Sequence, residues 1–304
     1  MLKRIVIKIM TSKSKLKIWF ESFRPKTLTA SVAPVFIGTA MASDDGSFDT
    51  VIMALTFAAA LLIQIGTNLA NDYYDFIKGA DTETRIGPTR ATQAGLVTPS
   101  QIKFAFMLTF ALAAACGLYL VYVGGIPILA IGLVSIICGI LYTAGPVPLA
   151  YYGLADIFVL VFFGPVAVGG TYYLQTHTIN SYVLLAGLAP GLFSVAILTV
   201  NNFRDIETDK VANKKTLAVR FGPKFAIAEY IAAIFAACMV PAIIFVNLKS
   251  NYWSMISMLT LLIAVGPIKT LLSKPDASTL NQMLARTGFL LIFYSFFFSV
   301  GWVL

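Results

Sequence analysis

Charge is what this chain has least of. Asp, Glu, Lys and Arg make up 12% of its 304 residues, while 58% are hydrophobic and the mean hydropathy is +0.83. A soluble domain typically carries about 25% charged residues, so the composition excludes that class and describes an integral membrane protein. Histidine occurs once, at His177 in a predicted outer turn, which argues against haem ligation and histidine-based catalysis. Cysteine occurs three times, at Cys116, Cys138 and Cys238, each inside a predicted helix and without the paired spacing of a zinc site or disulfide framework. Free cysteines in such positions behave as small hydrophobes. The alternating ten-residue segments of a membrane β-barrel are also absent.

Long apolar runs are present instead. A hydrocarbon core of about 30 Å takes roughly 20 apolar residues per helix, and nine runs qualify: residues 27–43, 50–68, 104–123, 126–144, 154–175, 182–200, 225–246, 253–272 and 287–304. The expected fold class is all-α, a polytopic bundle of nine transmembrane helices. Residues 1–22 read as a basic cytoplasmic N-terminal segment and residues 23–304 as a single transmembrane domain. The long basic run before residue 27, ending in Arg24-Pro25-Lys26, argues against a cleaved signal peptide.

The basic residues orient the bundle. With nine crossings, every Lys and Arg except Lys249 falls on one side: the leading segment, the connections at residues 69–103 and 201–224, and the last inter-helix turn. The positive-inside rule makes that side cytoplasmic, together with the N-terminus, and puts the C-terminus outside. The acidic turn Asp44, Asp45, Asp49 then lies outside. The net charge of +8 fits anionic lipid head groups and needs no nucleic acid.

Two polar clusters interrupt the apolar sequence where the two long cytoplasmic connections begin. Asn68, Asn71, Asp72 and Asp75 form the first; Asn201, Asn202, Arg204, Asp205, Glu207 and Asp209 form the second. Asn68/Asp72, Asn71/Asp75, Asn201/Asp205 and Asp205/Asp209 are each four residues apart, so each pair shares a helical face. The repeated Asn-x-x-x-Asp step suggests an internal duplication. Ionisable residues at membrane depth are costly and usually functional. Magnesium takes oxygen ligands, commonly one or two carboxylates with substrate phosphates and water. Carboxylates on two facing helices beside Arg and Lys suit a diphosphate held through magnesium.

These residues resemble the UbiA superfamily of membrane prenyltransferases. Asn71-Asp72-Tyr73-Tyr74-Asp75, running on through Lys78 and Asp81 to Arg85, Gly87, Pro88 and Arg90, is similar to its first Asp-rich motif; Asn201 to Asp209, continuing through Lys214-Lys215 to Arg220 and Gly222, is similar to its second. Arg24-Pro25-Lys26-Thr27, the turn from Tyr142 to Gly145-Pro146, and Phe163-Gly164-Pro165 through Gly170-Thr171-Tyr172-Tyr173 resemble the 1,4-dihydroxy-2-naphthoate polyprenyltransferase branch, which makes demethylmenaquinone.

The resemblance implies that a polyprenyl diphosphate ionises with magnesium assistance and that its allylic cation attacks an aromatic ring whose carboxylate leaves as CO2. It implies Asp75, Asp205 and Asp209 as leading metal ligands, with Asp72 and Asp81 next. Asn71 and Asn201 become carbonyl donors, and Lys78, Arg85, Arg90, Arg204, Lys214 and Lys215 candidates for the diphosphate. Arg24 is a candidate for the acceptor. Asp156, read as the remaining isolated intramembrane carboxylate, is a base or hydrogen-bond acceptor for an acceptor hydroxyl, beside the plainer reading of a carboxylate at a helix N-terminus. Tyr142 can hydrogen-bond a phosphate or substrate hydroxyl. The expected partners are the two substrates and membrane lipid, in the bacterial inner membrane. Val147 departs from the usual Lys of the branch and Asn213 from the usual Gly, which puts donor affinity or chain length in question. Another acceptor such as 4-hydroxybenzoate remains open. A transporter is the rival from a different class, although the carboxylates sit at helix ends on one face and not along a crossing path.

Overall fold

The computed structural model describes residues 14–79, 90–145, 148–249, 251–273 and 275–304. Among them the regular elements are all helical. The first two are α1 (Lys15–Ser22) and α2 (Pro25–Asp44), followed by α3 (Thr50–Ile77) and α4 (Pro99–Leu141). Next come α5 (Ala155–Val161) and α6 (Ala167–Thr176), joined by a widened turn, then α7 (Ser181–Arg204) and the short α8 (Ile206–Val211) and α9 (Leu217–Phe221). The chain finishes with α10 (Pro223–Leu248), α11 (Thr260–Leu272) and α12 (Ala277–Val303).

Seven helical segments among the described residues are long and apolar enough to cross a membrane, not the nine expected. Two causes account for the difference. The two predicted runs 104–123 and 126–144 are the limbs of α4, a 43-residue segment that counts once although it is broken at Gly125. Helix α2 has the length, 20 residues, but its apolar side chains are diluted by Thr27, Thr29, Ser31, Thr39 and Ser43.

A straight helix of 43 residues would reach about 65 Å, twice the bilayer core. Helix α4 breaks at Gly125, whose φ of 67° and ψ of −155° lie outside helical space and favour a residue without Cβ, and Pro127 follows two residues later. The second limb folds back along the first. Leu120 packs with Ile128 near the break, and Phe106 and Phe110 share a cluster with Ile136 and Ile140 at the far end.

Helix α7 forms the centre. Phe193, Ile197 and Val200 pack into one cluster with Tyr230 and Ile234 of α10, Met283, Tyr294 and Phe298 of α12, and Ile37 of α2. Where α7 crosses the turn between α5 and α6, glycines let the backbones touch: a Cβ on Gly164 would lie 2.7 Å from the Gly187 carbonyl oxygen. Small residues at helix crossings are how membrane bundles achieve close packing.

At one end of the bundle the acidic turn is fully engaged. The Tyr172 hydroxyl donates to Asp45, the Asp49 carboxylate caps α3, and Asn251 donates to Asp44 at 3.2 Å. At the other end, the C-termini of α3, α4 and α7 and the N-termini of α2, α5 and α12 converge around both polar clusters.

Candidate active site

The last turns of α3 carry the first cluster inward. Asn68, Asn71, Asp72 and Asp75 are only 2–5% exposed, so their polar groups must be matched within the protein. Asn68 donates to the Phe23 carbonyl at 3.0 Å and Thr27 Oγ1 at 3.3 Å, which fixes the entry of α2. That entry puts Arg24 in the left-handed conformation, φ 54°, with Nη2 2.5 Å from Asp72 Oδ1. Thr143 donates to Asn71 Oδ1 at 2.9 Å. Arg90 bridges the two carboxylates, pairing with Asp72 and reaching Asp75 at 3.2 Å. Lys214 Nζ approaches Asp75 from the second connection at 3.4 Å.

The second cluster ends α7. Arg204, its side chain 3% exposed, grips its neighbour Asp205 through Nε–Oδ1 at 2.8 Å and Nη2–Oδ2 at 2.6 Å. Its Nη1 donates to Asn281 Oδ1 on α12 at 2.6 Å. Asp209 lies in α8, one turn beyond Asp205. The turn bearing Tyr151 closes over this region: Lys215 N–H donates to the Tyr151 carbonyl, and the Tyr151 ring lies 5.2 Å from Lys78 Nζ and 5.0 Å from Lys214 Nζ.

Two cavities meet here. A polar one of about 130 Å³ is lined by Asn71, Asp75 and Arg90 from the first connection and by Asn201, Arg204, Asp205, Asp209 and Lys214 from the second, with Tyr142 and Asp156. An apolar one of about 580 Å³ runs from the same place toward the opposite end, walled by α3, both limbs of α4, the α5–α6 segment and parts of α2 and α7. Arg24, Asn71, Tyr142, Leu198 and Asn201 line both and mark the junction.

Some expected site residues lie elsewhere. Asp72 does not line the polar cavity; it is engaged by Arg24 and Arg90 behind it. Lys78 turns to the carbonyls of Thr143 and Gly145, where burial lowers its pKa against the opposing pull of Asp75, and Lys214 adds a smaller lowering. Lys215 is exposed. Asp81, Arg85 and Val147 lie outside the described residues. Asn213 takes φ 56°, the left-handed conformation in which asparagine is well tolerated.

Asp156 sits in the first turn of α5, 7% exposed, and neither carboxylate oxygen has a hydrogen-bond partner among the described residues. It is not the only isolated carboxylate at membrane depth, because Glu229 of α10 is a second, bonded to Thr199 at 3.2 Å. A charge inside the seventh apolar run was the signal for Glu229. Tyr142 lines both cavities and is half-buried, so its phenol O–H can donate a hydrogen bond at their junction. Asn281 and Tyr151 carry no motif that would have marked them in advance, whereas Thr143 lies within the Tyr142–Gly145 turn.

Among the described residues no three His, Cys, Asp or Glu side chains converge closely enough to cage a metal. The donor set fits magnesium shared with a ligand: hard carboxylate and amide oxygens from two clusters face one cavity, and this ion usually completes its octahedron with phosphate and water.

The model of the UbiA prenyltransferase family matches residues 31–301. The chain is 39% identical over 282 residues to a 1,4-dihydroxy-2-naphthoate octaprenyltransferase of Escherichia coli, covering 90% of this chain and 91% of the relative. It is 42% identical over 216 residues to the Haemophilus influenzae protein of the same name, covering 68% and 70%. A UbiA homolog from Archaeoglobus fulgidus, solved bound to DMAPP and Mg2+, shares the fold at a TM-score of 0.62 and 16% identity, over 90% of this chain and 98% of that one. Both clusters lie within the matched span, and on this footing the chain belongs to the UbiA prenyltransferase family.

Proposed function

We propose that the protein transfers a polyprenyl group from polyprenyl diphosphate to 1,4-dihydroxy-2-naphthoate, with loss of diphosphate and CO2, to give demethylmenaquinone in its quinol form. The observation that carries this reading is the junction of the two cavities. A charged head compartment opens onto an apolar one, the shape of a diphosphate with a long hydrocarbon tail. The names of the relatives supply the acceptor.

Arg90, Arg204 and Lys214, which line the polar cavity together with Arg24, are assigned to the diphosphate. Asp75, Asp205 and Asp209, aided by Asn71 and Asn201, would hold magnesium, and Asp72 orients Arg24 and Arg90. Bound magnesium neutralises charge building on the leaving diphosphate. The allylic C–O bond breaks and its electron pair stays with diphosphate. A ring carbon supplies the pair for the new C–C bond. The ring carboxylate then departs as CO2, and its bonding pair restores aromaticity. Arg24 at the junction suits that carboxylate, and Asp156 with Tyr142 suits the neighbouring hydroxyl. Fixed cations aimed at the leaving group act mainly on the transition state, where that charge is largest.

The proposed topology has nine crossings, counting the two limbs of α4 separately and including α2, with the site on the cytoplasmic face, the N-terminus inside and the C-terminus outside. Its support is the basic residues gathered at that end. A bacterial cytoplasmic membrane is the corresponding location.

The test is incubation of purified protein with octaprenyl diphosphate, magnesium and either 1,4-dihydroxy-2-naphthoate or 4-hydroxybenzoate. Prenylated naphthoquinol and stoichiometric CO2 are expected from the first alone; turnover only with the second would reassign the acceptor. Asn281→Leu provides a finer check. It leaves Arg204 Nη1 without its 2.6 Å partner, so KM for the diphosphate should rise about tenfold, the equivalent of one hydrogen bond to a charged group. Steady-state kinetics with varied donor would show it.

A further inference from the structure

Most hydroxyls on the wall of the apolar cavity are already satisfied. Thr27, Ser31, Thr56, Thr171 and Ser194 each donate to a backbone carbonyl three or four residues earlier, at 2.7–3.0 Å. Three polar side chains on the same wall behave differently. Gln64 and Thr67 of α3 and Ser135 of the second α4 limb make no hydrogen bond among the described residues.

The three share one zone. Thr143 on the α4 side bonds Asn71 on α3, a separation of 72 residues. One turn deeper, a Cβ on Gly139 would collide with Thr67 Oγ1, at the same separation. The two helices therefore run parallel in constant register, and that register sets Gln64 level with Ile136, next to Ser135. Thr67 is one helical turn below Asn71 and Gln64 two, about 10 Å into the bundle, with all three on the stripe of α3 that faces the cavity.

An amide held against hydrocarbon without a partner is unfavourable, and the isoprenoid tail, being hydrocarbon, cannot supply one. Of the two substrates, only the aromatic acceptor brings hydroxyls below the diphosphate. We propose that Gln64, with Thr67 and Ser135, is the hydrogen-bonding subsite for the acceptor's 4-hydroxyl, the one remote from the carboxylate, and selects a dihydroxylated ring. This rests on the reading of the cavity as the prenyl-transfer site. Gln64 offers both an amide donor and a carbonyl acceptor, and each hydroxyl offers either role, so the three groups can satisfy a ring hydroxyl. A site built around a substrate hydroxyl rejects the analogue that lacks it, because its own polar groups are then left unpaired.

The test is equilibrium binding of 1,4-dihydroxy-2-naphthoate and 1-hydroxy-2-naphthoate to purified protein, native and Gln64→Leu, with Thr67→Val as a second variant. The native protein should prefer the dihydroxy ligand. In Gln64→Leu its Kd should rise about 10- to 100-fold, that of the monohydroxy ligand should change less than about threefold, and KM for the diphosphate should stay within about twofold. The variant should melt no lower than the native protein, since Leu removes an unsatisfied amide from apolar surroundings. An unchanged preference in both variants, or equal weakening of donor and acceptor, would overturn the subsite. Native protein that prenylates no dihydroxynaphthoate would instead overturn the proposed function.

Discussion

Replacing Asp75 or Asp205 with asparagine is expected to reduce prenyl transfer by about 10³-fold or more, near 4 kcal/mol of transition-state stabilisation, while the bundle stays folded. Both positions line the polar cavity, Asp75 from α3 and Asp205 from the end of α7. Asparagine keeps shape and one carbonyl oxygen but removes the charge that a divalent cation needs. The fold should survive because each cation left behind retains a partner. Arg90 keeps Asp72, and Arg204 keeps Asn281. Lys214, with its side chain 14% exposed, keeps the Tyr151 ring beneath it. Initial rates across a magnesium titration, with melting curves on the same samples, decide the matter. Turnover within tenfold of native in both variants would remove the two clusters from the chemistry.

Gly187→Val is expected to do the opposite, destroying the fold before chemistry is at issue. A Cβ at Gly187 would sit 2.7 Å from Pro165 Cα and 3.0 Å from the Gly164 carbonyl carbon. Both are main-chain atoms, so no side chain can swing aside. Overpacking ordinarily costs about 1–3 kcal/mol, and backbone-on-backbone contact places this change at or above the upper end. Yield of monodisperse protein in detergent should collapse. Gly266→Ala on α11 is the control: nothing lies within 4 Å of its Cβ position, and alanine should be neutral or favourable by about 1 kcal/mol. A normal yield from Gly187→Val would show that α7 does not pack against the α5–α6 turn as described.

The sequence was informative wherever information is local. The four-residue steps in both clusters set Asn71 with Asp75 and brought Asp205 and Asp209 to one cavity, because helical periodicity alone fixes which side chains share a face. It was silent where a partner arrives from a distant helix. Nothing near Asn281 announces that it will hold Arg204, and Tyr151 carries no mark of the two ammonium groups that share its ring. The basic residues show the limit best. Lys78, Arg90, Lys214 and Lys215 look equivalent along the chain, yet the backbone turns send Arg90 and Lys214 to the cavity, Lys78 to the carbonyls of Thr143 and Gly145, and Lys215 outward. Apolar length located the membrane segments, and the runs 104–123 and 126–144 meet where α4 breaks at Gly125.

The break in α4 has a consequence for the charge that the bundle buries. Lys103 and Asp156 bracket 52 residues without a formal charge, and the break at Gly125 falls within them. Both limbs and the turn between them can therefore sit in apolar surroundings without burying an ionised group. A residue that forced position 125 into right-handed helix would strand the second limb beyond the lipid. The packing of Ile128 on Leu120, and of Ile136 and Ile140 with Phe106 and Phe110, therefore depends on one backbone torsion.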